Sequence, residues 1–183
     1  MKDIPKETIL QAAEGDLDAF EDIYRVTSGF VYNTALRVVA NKEDAEEVTQ
    51  DVFIKVHRNL KNFHFRSSLK TWIYRITVNT AINKYKKRKR EMTRTVEYDD
   101  RIEVEGASEN AEKELYRKDN EKLIGSLLRM LNPQQRACIV LRSIEGLSYK
   151  EIADSLGTNI NTVRTRLKRA REKILSIYGR KVT

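Results

Sequence analysis

The chain has 183 residues, of which 40% are hydrophobic and 34% are charged, and its formal net charge is +8. Its length allows one domain or two small ones, and the basic balance favours a polyanionic partner such as nucleic acid. No apolar run approaches the roughly 18 residues of a membrane span, and the N-terminus lacks the apolar segment of a signal peptide. A single cysteine excludes an internal disulfide, so we expect a cytoplasmic protein.

Helical periodicity runs through most of the chain, which has only two prolines and seven glycines, and predicts an all-α fold. A first helix is predicted to end at Gly15, and Asp16 to cap a second one. Residues 26–29 predict a break or kink in that second helix. Asn41 is predicted to cap a third helix over about 42–60.

The third predicted helix has two unlike faces. Its core stripe comprises Ala45, Val48, Val52, Val56 and Leu60. The opposite face carries Glu47, Gln50, Asp51 and Ile54, with Glu46 and Phe53 beside them. Apolar groups on a polar face are typical of a partner-binding surface, and a solvated face is an equally good interpretation. A metal-dependent nuclease with Asp44, Glu47 and Asp51 as ligands is a third interpretation, but no histidine or further carboxylate cluster completes that site.

An aromatic loop at 62–68 precedes a fourth helix, predicted from Leu69 with Trp72, Ile73 and Ile76 in its core stripe. Its outward side carries Lys70, Tyr74, Arg75, Asn79, Asn83 and Lys86. This side runs into the basic sequence Lys84–Arg90. Rings that stack on bases, beside cations that follow phosphates, are suited to single-stranded DNA.

The composition then turns acidic and poor in hydrophobic residues from Thr95 to Glu121, which predicts a flexible linker. We therefore expect a first domain at 1–92, a linker at 93–118 and a second domain at 119–183. About 27 flexible residues average roughly 30 Å end to end. Two domains tethered in this way can contact DNA sites one or two helical turns apart.

The second domain is predicted to hold four helices. The first has Leu123, Leu127 and Leu131 on one stripe. Asn132 and Pro133 supply the cap and first-turn proline of the next, over 134–142. Cys138 lies in an apolar run there, so we expect a buried packing residue and not a nucleophile.

The last two predicted helices form a helix-turn-helix. Ser148 and Glu151 have the spacing of a capping box, Gly157 ends the first helix, and Thr158 is predicted to cap the second. The apolar stripe of that second helix comprises Ile160, Val163, Leu167, Ala170 and Ile174. Its outward face comprises Asn161, Thr165, Lys168 and Arg169, flanked by Thr162, Arg164 and Arg166. A solvated basic helix is the plainer interpretation, but the caps, glycine and register together favour a helix that enters the DNA major groove.

These motifs resemble those of the extracytoplasmic-function sigma factors, a group of the bacterial sigma-70 family. Residues Asp44–Phe63 resemble region 2.2, Ser68–Arg90 resemble regions 2.3 and 2.4, and Leu131–Ile174 resemble region 4. The resemblance covers nearly the whole chain except the linker. It implies a promoter-specificity subunit that is not an enzyme and that needs no cofactor, metal ion or small-molecule substrate.

The resemblance also implies sites and partners. The region 2.2 helix would bind the clamp helices of core RNA polymerase through Asp44, Glu47, Gln50, Asp51, Phe53 and Ile54. The aromatic loop and fourth helix would bind the melted −10 element, including a flipped base, through Phe63, His64, Phe65, Ser67, Arg75, Asn79, Asn83 and Lys86. Region 4 would bind duplex −35 DNA through Asn161, Thr162, Arg164, Thr165, Arg166, Lys168, Arg169 and Arg171. An anti-sigma factor, often membrane-bound in the family, is the further partner implied.

One rival interpretation is an ordinary helix-turn-helix repressor or activator. Such a protein usually dimerises, and the sequence offers no heptad repeat or self-complementary apolar stripe for that purpose.

Overall fold

The computed structural model of the chain describes residues 4–94 and 123–178. These residues contain no strand, which confirms the all-α prediction. The first domain consists of α1 (Lys6–Glu14), α2 (Leu17–Val39), α3 (Lys42–Asn59) with a 3₁₀ turn at Leu60–Asn62, and α4 (Leu69–Arg94). The second consists of α5 (123–129), α6 (Pro133–Ile139) with a π-helical turn at Val140–Ile144, α7 (Tyr149–Leu156) and α8 (Ile160–Tyr178). The predicted linker at 93–118 lies outside the described residues except for its first two positions.

The caps of the first domain form as predicted. Asp16 accepts a hydrogen bond from the Ala19 amide at 3.0 Å, and Asn41 accepts one from the Asp44 amide at 2.8 Å. Gly15 ends α1 in the left-handed conformation, with φ of 106°. These side chains and the glycine satisfy polar groups that a helix end otherwise leaves unpaired.

Residues 26–29 were predicted to form a break or kink, and the break is wrong, because α2 is continuous from Leu17 to Val39. Ile23, Thr27 and Val31 lie on one fully buried stripe, so packing against the core holds this stretch in the helix. The Thr27 hydroxyl is satisfied within the helix, since it donates to the Ile23 carbonyl at 2.6 Å. Tertiary contacts therefore outweigh the weak helix propensity of the Thr-Ser-Gly sequence.

The core of the first domain forms where α2, α3 and α4 meet. The predicted stripe of α3 is buried along its whole length, from Ala45 to Leu60. Ile73 of α4 is also fully buried, whereas Trp72 and Ile76 are half-buried at the edge of the same core. The long helices α3 and α4 are thereby fixed side by side, with their outward faces available for contacts.

In the second domain, two capping boxes fix the starts of α6 and α7. Asn132 and Gln135 bond reciprocally at 2.9 and 3.3 Å, and Ser148 and Glu151 do so at 3.2 and 2.8 Å. Glu151 accepts from the Ser148 amide and hydroxyl, and these bonds lower the pKa of its carboxyl group.

Three local predictions for this domain need correction. Of the predicted stripe Leu123, Leu127 and Leu131, only Leu131 is buried, whereas Leu127 is half-buried and Leu123 is 39% exposed, and Leu128 is buried instead. The helix predicted over 134–142 changes to a π-helical turn after Ile139. The cap of α8 is Asn159, whose carboxamide accepts from the Thr162 amide at 2.8 Å. Thr158 does not cap α8, because its own amide closes α7 by donating to the Ala153 carbonyl at 3.0 Å.

The two domains lie against each other and share one hydrophobic cluster. Arg136 of α6 is only 2% exposed at this junction and donates to four backbone carbonyls. Three of them belong to its own domain, at Leu128, Arg129 and Leu131, and the fourth is Val38 of α2, at 2.6 Å. Burial lowers the pKa of Arg136. The charge is tolerated because the carbonyl dipoles replace its lost hydration.

Among the described residues, no helix combines the length and the apolar character that a bilayer crossing requires.

Candidate nucleic-acid and polymerase interfaces

The outward face of α8 is a polar, basic surface on a firmly packed helix. Val163, Leu167 and Ala170 are buried beneath it, whereas Ile160, predicted for the same stripe, is 37% exposed. The predicted −35 residues that are exposed are Asn161, Arg164, Thr165, Lys168, Arg169 and Arg171, and those that are half-buried are Thr162 and Arg166. Six of the eight predicted residues are therefore exposed on this helix.

A groove of about 410 Å³ borders this face, between α8 and the start of α6. The recognition-helix residues that line it are Asn161, Thr162, Thr165, Arg166 and Arg169. Four further amide side chains complete it, namely Asn132, Gln134, Gln135 and Asn159. The sequence pattern does not mark these four as DNA-facing, and it identifies Asn132 only as a helix cap. Amide groups both donate and accept hydrogen bonds, so the groove suits a polar ligand surface such as DNA.

The outward side of α4 divides into an exposed part and a covered part. Arg75, Asn83 and Lys86 are exposed, as predicted. Asn79 is half-buried, and its carboxamide donates to the Ser155 carbonyl of α7 at 3.0 Å. Tyr74 was predicted on the outward side but is fully buried, and its hydroxyl donates to the Glu145 carboxylate. Burial, reinforced by that hydrogen bond, raises the pKa of Tyr74.

The aromatic loop before α4 presents one ring and buries another. Phe63 is 7% exposed and packs at 5.3 Å from Trp72 and 4.8 Å from Phe65, measured between ring centroids. Phe65 is 38% exposed and adopts a left-handed backbone with φ of 56°, which is uncommon for a bulky residue. The ammonium group of Lys6 lies 5.0 Å from the Phe65 ring. His64 and Ser67 of the same loop are also exposed.

On α3, the predicted polymerase-binding residues fall into two sets. Glu47, Gln50, Asp51 and Ile54 are exposed, Ile54 by 48%. Phe53 was predicted beside this face but belongs to the core, where its ring lies 4.5 Å from that of Tyr24. The reason is its position at the edge of the stripe, where the ring turns inward between α2 and α3.

Asp44 is also turned inward, toward the basic part of α4. Its carboxylate lies 2.7 Å from Arg88 and 3.8 Å from Lys84, and Lys84 is hydrogen-bonded to Glu47 as well. The bond to Glu47 is the main cause of the raised pKa of Lys84. Asp44 is thus an ion-pair partner that joins α3 to α4. Residues 4–94 and 123–178 include no group of three acidic, histidine or cysteine side chains arranged to hold a metal ion.

Family comparisons match both domains in the same order. A family model for sigma-70 region 2 matches residues 23–91, and one for sigma-70 region 4 matches residues 121–174. The chain is 33% identical over 176 residues to the ECF RNA polymerase sigma factor SigE of Mycolicibacterium smegmatis, covering 94% of this chain and 67% of that protein. This chain belongs to the extracytoplasmic-function group of the sigma-70 family. The RNA polymerase sigma-H factor of Pseudomonas aeruginosa is similar over 175 residues at 32% identity, covering 92% of this sigma factor and 91% of that one.

Two solved structures share the fold of this sigma factor. CnrH, in complex with the cytosolic domain of CnrY, superposes with a TM-score of 0.67 at 23% identity, covering 97% of this chain and 98% of that one. RpoE of Bartonella quintana, in complex with the anti-sigma factor NepR, superposes with a TM-score of 0.70 at 24% identity, covering 87% of this chain and 96% of that one. At such identities the likeness shows the helical architecture alone.

Proposed function

We propose that this sigma factor binds core RNA polymerase and directs it to promoters whose −35 and −10 elements it reads with separate domains. One observation carries the proposal: the region 2 and region 4 matches occur in this order in one chain, each on its own helical domain. The protein supplies specificity, and the polymerase supplies the chemistry. A conventional regulator would need only the second domain.

For the −35 element, α8 enters the major groove of duplex DNA. Its exposed arginines and amides are the side chains that read guanine and adenine edges, while cations on the flanks hold phosphates. The amide side chains of the groove beside α8 extend this surface toward one DNA strand. Asn132 and Gln134 are the positions where we expect further contacts with the DNA backbone.

For the −10 element, the aromatic loop and α4 bind a melted strand. Extruding a base costs a few kcal/mol, which stacking on an aromatic ring and pocket hydrogen bonds offset. Phe65 is the exposed ring suited to stacking, with His64 and Ser67 beside it for hydrogen bonds. Phe63 supports Phe65 from below, and Arg75, Asn83 and Lys86 follow the strand along α4.

For polymerase binding, we propose the exposed face of α3 made by Glu47, Gln50, Asp51 and Ile54. Its mixture of carboxylates and an exposed apolar group suits a basic helical partner such as the clamp helices. Phe53 and Asp44 support this face without being part of its exposed surface. Phe53 fills the core under it, and Asp44 fixes α4 against it.

The double substitution Gln50→Ala with Asp51→Ala tests this docking face. We expect polymerase affinity to fall at least tenfold, because a polar contact and a charged contact are lost together. Binding to −35 duplex DNA should stay unchanged, since the second domain is untouched. The matched control, Gln11→Ala with Asp18→Ala, removes the same two groups from exposed sites on α1 and α2. Equal affinities of the two double variants for polymerase would reject the docking face.

We also propose a cytoplasmic location and regulation by an anti-sigma factor. The support is indirect: CnrH and RpoE share this fold, and their structures hold the cytosolic domain of CnrY and the anti-sigma factor NepR. An inhibitor that binds both domains would prevent polymerase and DNA from reaching the faces described above.

The deciding experiment is to test whether the purified protein co-elutes with bacterial core RNA polymerase and supports run-off transcription. Co-elution with promoter-dependent transcripts is the expected result. Tight duplex binding by the free protein without co-elution would favour a conventional regulator and reject the role proposed for the first domain.

A further inference from the structure

Lys6, the first residue of α1, lies against the aromatic loop that we propose for −10 recognition. Its ammonium group lies over the Phe65 ring, 5.0 Å from the ring centroid. That ring is 38% exposed, and the centroid of the Phe63 ring is 4.8 Å from its own. The first helix of the chain therefore supplies a cation to a loop that follows α3.

Packing fixes α1 beside this loop. Ile9 and Ala12 are buried in the core of the first domain, and α1 contacts the 3₁₀ turn at Leu60–Asn62, which leads into the loop. The Ile9 amide donates to the Pro5 carbonyl at 3.2 Å, so the helix begins directly at Lys6. The backbone of Lys6 is thereby held in place. Its exposed side chain has a flexible four-carbon stem, so the ammonium group itself can still move.

The stability of α1 does not explain a lysine at this position. A positive charge in the first turn lies at the positive end of the helix dipole, where acidic side chains are favoured. Among residues 4–94 and 123–178, the Lys6 ammonium group has no carboxylate partner, and its contact is with the Phe65 ring. A cation–π contact at an exposed site contributes little to stability. A negatively charged ligand at the loop accounts for the charge better.

The backbone of Phe65 also indicates a binding site. Its φ of 56° lies in the left-handed region, which is unfavourable for a bulky residue. Such conformations persist where surrounding contacts hold them, and they cluster at ligand sites. Here the contacts of the ring are those with Phe63 and Lys6. The result is an exposed ring, held in a strained loop, with a cation over it.

We propose that Lys6 is a further residue of the −10 site, and that its ammonium group binds a phosphate of the nucleotide that stacks on Phe65. This inference rests on the −10 role proposed for the loop. A nucleotide that stacks its base on a ring carries phosphates on both sides of its sugar, so an ammonium group at the ring is close to one of them. Lys6 then exchanges a weak contact with the ring for a charge-assisted hydrogen bond to a phosphodiester. Such a contact positions the strand and does not read its sequence.

One phosphate contact has two measurable consequences. Removing the charge of Lys6 should weaken single-strand binding about two- to fivefold, as expected for one exposed ion pair. It should also reduce the slope of log K against log salt concentration by about 0.7, because one fewer counterion is released from a single strand. Stability should stay unchanged, since Lys6 is exposed and outside the core.

The experiment measures binding of a fluorescein-labelled random 12-nucleotide single strand to the full chain, by anisotropy at several salt concentrations. Lys6→Met keeps the apolar stem and removes the charge, whereas Lys6→Arg keeps the charge. We expect weaker binding and a smaller salt slope for Lys6→Met, and values near those of the parent chain for Lys6→Arg. In a Phe65→Ala background, Lys6→Met should have a smaller effect, because the stacked nucleotide is lost. The control, Lys173→Met, removes an exposed cation of α8 outside the proposed contacts.

The outcomes separate this proposal from the one on which it rests. If Phe65→Ala weakens binding but Lys6→Met matches the parent chain in affinity and salt slope, the phosphate contact is overturned and the −10 role of the loop stands. Equal losses in Lys6→Met and Lys173→Met would also overturn it, because they would show a general effect of charge. A lower urea midpoint for Lys6→Met would assign Lys6 a structural role instead. If neither Phe65→Ala nor Lys6→Met changes binding, or if no chain binds the strand, the −10 role of the loop is rejected together with that of Lys6.

Discussion

The two helices that we propose to read DNA differ in what occupies their outward faces. On α8 the contacts of these side chains are local, such as Arg164 with Asn161 at 3.1 Å and Lys168 with Glu172 at 3.9 Å. On α4 they are long-range, and Asn79 and Lys84 bond to Ser155 and Glu47 respectively. The face of α8 is exposed, whereas part of the face of α4 is covered by contacts with α7.

This difference fits the two kinds of DNA. A duplex offers its groove at any time, so a rigid, exposed helix is sufficient for −35 binding. A melted strand exists only once the duplex opens, and a permanently open basic surface would bind other single strands through their phosphates.

The largest expected effect concerns the residue that joins the two domains. Arg136→Ala should lower the free energy of unfolding by at least about 3 kcal/mol, because each hydrogen bond from a charged donor contributes about 1.5–3 kcal/mol and four carbonyls lose theirs. Urea denaturation, followed by circular dichroism, measures this free energy of unfolding. Arg129→Ala removes an exposed arginine side chain at the end of α5 and should change stability by no more than about 0.5 kcal/mol. If Arg136→Ala lowered the free energy of unfolding no more than Arg129→Ala does, the hydrogen bonds of Arg136 would contribute little to stability.

A second prediction concerns the packing beneath α8. Burial raises the pKa of the Cys138 thiol from 9.0 to about 11, and the nearby Arg166 partly opposes this shift. The folded state therefore holds a proton that the unfolded chain releases above about pH 9. The resulting stability is fully present below pH 9 and is lost as the pH rises toward 11. The loss amounts to about 2–3 kcal/mol.

Urea unfolding at pH 8 to 10.5 measures how the free energy of unfolding falls as the pH rises. Cys138→Ala should make this pH dependence weaker. The difference between the profiles of the variant and the parent chain separates the effect of the thiol from that of the tyrosines, which titrate in the same range. Parallel profiles would mean that the thiol is accessible to solvent and that α8 is less firmly packed than α4.

The third effect tests readout by the exposed helix. Arg169→Ala should cost about 1–3 kcal/mol of binding to a cognate −35 duplex if the guanidinium makes a bidentate base contact. Fluorescence anisotropy with cognate and scrambled duplexes measures it. The control, Lys173→Ala, removes an exposed cation of α8 that is outside the proposed contacts, so it shows how much binding is lost through the change in net charge alone. An equal loss on scrambled DNA would assign Arg169 to phosphates.

The same comparison explains which features the sequence predicted. Caps and periodicity are local, so Asp16, Asn41 and the Ser148–Glu151 box were predicted correctly, as was the outward face of α8. Periodicity also placed Tyr74 outward, but its ring lies 4.9 Å from that of Phe30 on α2, and its hydroxyl donates to Glu145, which lies 71 positions later in the chain. Phe53 and the 26–29 stretch failed for a related reason, since packing by neighbouring helices decides their environment.

The smallest effect concerns α7, the helix that supports α8 on one side and covers α4 on the other. Ser148→Ala removes half of its capping box and should destabilise the second domain by about 1 kcal/mol, with Ser176→Ala as the exposed control. The Glu151 half of the box remains, and its lowered pKa means that this contribution is present near neutral pH and is lost in acid. Hydrogen exchange at the first amides of α7 should quicken at pH 7, together with exchange around Asn79 on α4. Faster exchange on α7 alone would show that the cover on α4 does not depend on the start of this helix.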